Sequence, residues 1–197
     1  MKLASLALAL GLISPAAFAA PTLTVDFERA WEFGTEVADA YAAQGVSFTN
    51  VLGLSNGDGL GSLPNGDYYA GAPSPLGVAF VQLDGVTNTA AYMNVAGGLA
   101  NGLSFFYASV DTLTILAFSG LNGAGDLLGS ITLDATGDFS TWQHAVLNFN
   151  GTAQSFDLSG ANGVAALDDI ASIPEPSSVA LLLAAGGALA LTRRRRA

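Results

Sequence analysis

Between Pro21 and Ile173 apolar and polar residues alternate in short runs, the two-residue period of half-buried β-strands. The runs predict strands at 23–27, 45–51, 78–83, 90–95, 103–109, 113–119, 127–133, 142–149, 153–158 and 164–170. Turn chemistry falls between many of them: Asn122-Gly123, Thr136-Gly137-Asp138, Asn150-Gly151 and Asn162-Gly163. Asn150-Gly151, set between two apolar runs, predicts a hairpin. The one helical stretch runs from Thr35 to Gln44, with Val37, Ala40 and Tyr41 on one face. Many short strands without a long amphipathic helix predict an all-β fold, an antiparallel β-sandwich or jelly roll. A long loop, residues 53–77, interrupts the pattern, and loops of that length are usually functional or mobile.

Both ends of the chain depart from the alternation. Met1-Lys2 is a short basic start, Leu3 to Ile13 is nearly all apolar, and Ala17-Phe18-Ala19 places small residues where a signal peptidase reads. This predicts a signal helix over residues 1–19, cut after Ala19 or, alternatively, after Ala20. At the other end the 16 residues from Ser177 to Thr192 carry no charge, somewhat short of the ~20 that cross a bilayer. A transmembrane helix is expected over 179–191, stopped by Arg193, Arg194, Arg195 and Arg196 on the cytoplasmic side. Pro174 and Pro176 break regular structure ahead of it and leave an extended, readable segment. The expected organisation is a signal peptide (1–19), a β-sandwich ectodomain (20–173) and a sorting segment (174–197).

Charge narrows the partners. Residues 20–173 hold 15 of the 16 acids and a single cation, Arg29, a formal charge of −14. Such a body does not neutralise phosphates, which excludes nucleic acid. The chain has no cysteine, so disulfides, cysteine-ligated zinc and thiol catalysis are excluded as well.

Pro174-Glu175-Pro176, the uncharged stretch and the arginine cluster, in that order, resemble the PEP-CTERM sorting segment of Gram-negative bacteria that make extracellular polysaccharide. The resemblance implies that an integral-membrane exosortase recognises Pro174, Glu175 and Pro176 and processes the tail. The protein would be exported through the inner membrane, held there transiently, and delivered to the cell surface or extracellular matrix. Within the body, TVDFE (24–28), Tyr41-x3-Gly45-Val46-x-Phe48 and ALDDI (166–170) resemble the ectodomain of many PEP-CTERM proteins. That resemblance implies a jelly roll like those of carbohydrate-binding modules.

Candidate chemistry is sparse. His144 is the sole histidine, it shares a strand face with Trp142, Val146 and Asn148, and no Gly-x-Ser-x-Gly motif accompanies it. Trp142 and the phenylalanines are expected in the core. In VAALDDI, alternation sets one of Asp168 and Asp169 beside apolar neighbours on either face. A buried carboxylate needs a partner, either backbone donors at the strand end or a cation such as calcium. The resembling modules hold a structural calcium between first and last strands, which implies a set of Asp26, Glu28 and Asp168. Tyr68 and Tyr69 in the long loop are the candidates for stacking on a sugar ring.

No catalytic residue is assigned. The first reading is a non-enzymatic structural or interaction component of the surface or matrix. The alternative is a calcium-supported module that binds extracellular polysaccharide, and the third a polysaccharide hydrolase built on paired acids. Exposed aromatics near the 53–77 loop would favour the alternative.

Overall fold

Alternation dictates which side of each strand is wet, and the computed structural model follows it through nine antiparallel strands. They are β1 (Thr24–Val25), β2 (Val46–Thr49), β3 (Val51–Ser55), β4 (Gly77–Val81), β5 (Tyr92–Ser109), β6 (Leu113–Phe118), β7 (Leu127–Leu133), β8 (Gln143–Asp157) and β9 (Ala165–Ser172). The structure describes residues 23–32, 34–55 and 69–173, all within one compact unit, Thr22–Glu175. The signal segment 1–19, Tyr68, Pro174, Glu175, Pro176, the helix expected at 179–191 and Arg193 to Arg196 lie outside the described residues.

The ladder β3-β4-β9-β5-β8-β6-β7 is continuous, with β1 on β9 and β2 on β5. It folds into two layers because β5 and β8 are long enough to serve both. The C-terminal part of β5 pairs with β9 and with the start of β8, which gives a first sheet β3-β4-β9-β5-β8. The N-terminal part of β5 pairs with β2 and the end of β8, which then meets β6 and β7 in a second sheet. Phe27, Phe105, Phe156, Met93, Leu103, Ile115 and Leu147 fill the space between them, nearly or wholly shielded from water. This is the all-β antiparallel, jelly-roll-like sandwich that the pattern of short strands predicts.

Four local expectations change. The runs 90–95 and 103–109 are one strand, β5, and 142–149 and 153–158 are another, β8. Asn150-Gly151 therefore makes no hairpin: the chain passes through it in β8, and Gly151 (φ 93°) sits where β5 and β8 bend together. Opposite, Gly98 has φ 68°, and a Cβ there would lie 2.3 Å from Thr152 Cγ2. The run 45–51 instead splits into β2 and β3 at Asn50 (φ 55°), whose side-chain amide donates to the Ala90 carbonyl at 2.7 Å. This switches the chain from the second sheet to the first.

The fourth concerns 35–44, which forms only a 3-10 turn at Ala42–Gln44. Neighbouring strands take its backbone bonds: the Val37 amide donates to the Val51 carbonyl and the Phe48 amide to the Ala38 carbonyl. Val37 and Tyr41 still bury their side chains, so the apolar face was right and the element was wrong.

Gly53 on β3 is a packing constraint, because a Cβ there would lie 2.0 Å from the Trp31 ring. Trp31 is unable to yield: its ring N–H donates to the Phe27 carbonyl at 3.0 Å and its amide to Ser55 Oγ at 2.6 Å. Gly53→Ala is expected to cost about 1–3 kcal/mol through overpacking, read as a lowered urea midpoint for the full chain.

Candidate functional site

The outer face of the first sheet carries a second, smaller apolar cluster. On β4, Ala79 and Val81 point into the sandwich while Val78 and Phe80 point out. On β9, Ala165 and Leu167 point in and Ala166 points out. Leu54 and Tyr69 join Val78 and Ala166 there, with Ala72, Phe80, Phe139 and Trp142 packed around them. The result is a pocket of about 330 Å3 lined by Leu54, Tyr69, Phe80, Gln82, Phe139, Gly163 and Ala166. Its volume lies at the small end of the range of ligand sites, and its walls are mostly apolar, as such sites require.

Two turns build the walls. Asp138 accepts from the amides of Ser140 (2.9 Å) and Thr141 (2.8 Å), an Asx-type turn that projects Phe139. These bonds, the Ser140 amide first, hold the Asp138 carboxyl below the usual carboxylate range. Phe139 meets Phe80 edge-on at 6.1 Å between ring centroids. The Trp142 ring N–H donates to the Ala70 carbonyl at 2.9 Å, and the ring packs edge-on against Tyr69 at 6.4 Å. On the far side the Leu83 amide donates to Asn162 Oδ1 (2.7 Å) and the Gly163 amide to the Val81 carbonyl (2.8 Å). Those bonds set Gly163 and the exposed Gln82 at the rim.

Tyr69 is thus in the pocket, but buried in its wall with 3% of its surface exposed. Trp142, expected in the core, lies half-buried on the outer face together with His144, as strand alternation groups them. The phenylalanines divide: Phe27, Phe48, Phe105, Phe149 and Phe156 are core, whereas Phe80 and Phe139 are half-buried at the pocket. His144 is exposed and tilts against Phe106 at 5.0 Å. Sequence reasoning missed Phe80 and Phe139. Phe139 left a signal, an aromatic beside the Asp of a turn; Phe80 left only a faint one, Gln82 two residues on along the same face of VAFVQL.

Asp168 is fully buried on the same outer face as Ala166, beneath the segment that carries Ser74. The Ser74 amide donates to Oδ2 (2.9 Å) and the Asp169 amide to Oδ1 (2.8 Å). Ser74 Oγ lies 2.7 Å from Asp168 Oδ1 and 2.7 Å from the Asp26 carbonyl. One hydroxyl proton does not serve two acceptors, but a protonated Asp168 donates to Ser74 Oγ and frees that proton for Asp26. Asp169 (φ 47°) forms a bulge against β5 that returns Ile170 to the core, so strict alternation fails at this point.

Asp26, Glu28 and Asp168 do not converge as calcium ligands. Asp168 is occupied by Ser74 and Asp169. Asp26 is exposed and accepts from the Glu28 amide and the Tyr41 hydroxyl, while Glu28 accepts from the Leu76 amide at 2.7 Å. No group of three or more Asp, Glu, His or Cys among the described residues is placed to hold a metal. Asp169 is the acid that feels the other two: burial first, then the charges of Asp26 and Glu28, push its carboxyl up.

Burial pushes the Asp168 carboxyl up to about 6, against the lowering effect of its Ser74 and Asp169 bonds. The folded chain therefore holds this proton more tightly than the unfolded chain. The contribution of Asp168 to stability is complete below about pH 4 and is lost as pH rises through about 6, a loss of about 3 kcal/mol. Urea unfolding of the full chain between pH 4 and 7.5 is expected to show this decline, and Asp168→Asn to flatten it.

Comparison with known proteins places a PEP-CTERM protein-sorting motif at residues 172–196. No curated protein matches the chain. Among solved structures it is similar to a carbohydrate-binding module, CsCBM6-3 from Clostridium stercorarium in complex with cellobiose, at 19% identity and a TM-score of 0.39 over 63% of this chain and 83% of that one. It is similar to module CBM6cm-2 of lichenase 5A from Cellvibrio mixtus in complex with cellotriose, at 17% identity and 0.39 over 66% and 91%. The C-terminal CBM6 of LamC from Zobellia galactanivorans gives 13% identity and 0.41 over 77% and 98%. Each TM-score is below 0.5, and no ligand or role is transferred from these modules. What the comparisons establish for this chain is its address: it carries the PEP-CTERM motif of a secreted protein processed at the membrane.

Proposed function

We propose that this is a non-catalytic glycan-binding protein of the cell surface or extracellular matrix. In this reading a signal peptidase removes residues 1–19 and an exosortase acts at Pro174-Glu175-Pro176. The ectodomain, residues 20–173, then binds extracellular polysaccharide through the outer face of its first sheet. The observation that carries the reading is the pocket of about 330 Å3 framed by Phe80, Phe139 and Tyr69. It adjoins the 53–77 loop through Leu54 and Tyr69, which is where exposed aromatics favour a binding module over a passive structural component.

The chemistry supports a sugar. A pyranose has an apolar face that suits an aromatic ring, and the half-buried Phe80 and Phe139 keep ring surface available. Gln82 at the rim supplies donors and an acceptor to orient a hydroxyl. The segment that carries Tyr69 is fixed to the body by Trp142 and Ser74, so little of its order must be formed on binding.

The test is a pull-down of the purified full chain with the source organism's extracellular polysaccharide. Binding is expected, and Phe139→Ala should weaken it by roughly tenfold, a loss of about 1.4 kcal/mol. Retention of the circular dichroism spectrum by the variant shows that the fold survives. Failure of the folded full chain to bind would return the protein to a structural component without a ligand.

A further inference from the structure

The glycan reading names a polymer class but not the sugar, and the composition of the pocket narrows it. Resting on that reading, we infer that the pocket takes a neutral sugar unit bearing an apolar substituent, a 6-deoxy carbon or an O-methyl or O-acetyl group, and rejects uronates and sulfated sugars.

The first observation is the absence of a counter-charge. Residues 20–173 contain one cation, Arg29, and this holds for the undescribed part of the loop as well as the described residues. Arg29 is committed elsewhere. Its guanidinium stands 5.2 Å from the Trp31 and Tyr41 ring centroids, and Nη2 donates to the Ala40 carbonyl at 3.4 Å. Trp31 and Tyr41 belong to the inner core, whereas the pocket opens on the opposite face of the first sheet. A carboxylated or sulfated sugar would thus enter an acidic body and meet no guanidinium or ammonium to pair with.

The second observation is the shortage of polar partners. Among the described lining residues the side chains of Phe80, Phe139, Leu54 and Ala166 offer only carbon, and Gln82 is the one amide side chain. An unmodified hexose would bring more hydroxyls than one glutamine can satisfy, and each hydroxyl buried without a partner forfeits its bonds to water. Replacing one of those hydroxyls with hydrogen, or capping it with methyl or acetyl, removes the unmet donor. It also adds apolar area against Phe80 and Phe139.

The test titrates the full chain calorimetrically with methyl hexopyranosides of the gluco, galacto and manno series. Each is supplied unsubstituted, 6-deoxy, 6-O-acetyl and as the uronide. In the series whose stereochemistry fits, the deoxy or acetyl form should bind about tenfold tighter than the parent, and the uronide should give no heat. Phe139→Ala should weaken the binding of every form by about tenfold. Gln82→Leu, a change at an exposed rim position, should widen the gap between substituted and parent sugars. Equal or tighter binding of the parent or of the uronide, weakened in Phe139→Ala, overturns the inference and leaves the glycan reading standing. No binding of any sugar by a folded chain overturns both.

Discussion

The structure depends on the joint bend of β5 and β8. Each strand begins in one sheet and ends in the other, so the two layers share covalent backbone at their centre. A strand that changes sheets must still present apolar side chains inward on both sides of the bend. β5 does so with Met93 and Val95 before it and Leu103, Phe105 and Tyr107 after it. The ladder shifts register twice between Asn94 and Gly102, which resets the alternation without exposing the core. Gly98 and Gly151 meet at that point with positive φ, and contact with Thr152 leaves no room for a side chain at Gly98. Remove the bend, and one of the two inner faces turns to water.

The pocket follows from the same arrangement. β4 and β9 lie beside the C-terminal part of β5, and their outward residues Val78, Phe80 and Ala166 are themselves apolar. A sheet that is apolar on both faces must be covered on both. The inner side is covered by the second sheet; the outer side is covered by turns that carry Tyr69, Phe139 and Trp142. Turns cover a sheet less completely than another sheet would, and the remainder is a hollow with aromatic walls. The buried Asp168 serves this covering layer: its carboxyl holds Ser74 by both amide and hydroxyl, and so holds down the segment that follows Tyr69. That hold is bought with a carboxyl that burial pushes toward protonation.

Much of the sandwich was legible in the sequence, because a period of two is a local property. β4, β6, β7 and β9 fall within a residue or two of the runs that predict them. What was lost is non-local. Asn150-Gly151 is strong hairpin chemistry, but the partner that could have folded back on β8 is displaced by β5, which already pairs on both sides of the turn sequence. Residues 35–44 carry a helical spacing, yet Thr35, Val37, Ala38 and Tyr41 bond to β2 and β3 and only tight turns are left between them. The pocket was half legible: Tyr69 was singled out by the length of its loop, while Phe80 required knowing which face of β4 is outward and Phe139 where the Asp138 turn lands. That one of Asp168 and Asp169 is buried was legible; which one, and its partner Ser74, 94 residues before Asp168, was not.

Charge ties the ends of the chain to its middle. Five of the six basic residues lie in the two terminal segments, and the body keeps Arg29 alone against 15 acids. A body so nearly free of cations, once secreted, is repelled by anionic surfaces and polymers at distances within the Debye length, about 8 Å at physiological salt. In the proposed role, attraction to a polysaccharide then has to come from contacts that are short-ranged and indifferent to charge. An aromatic-walled pocket with the Gln82 amide at its rim is a contact of that kind. Repulsion also acts between copies of the body, which keeps them apart. The acidic surface and the uncharged pocket are therefore complementary: the first suppresses indiscriminate adhesion, and the second is left to decide what the protein holds.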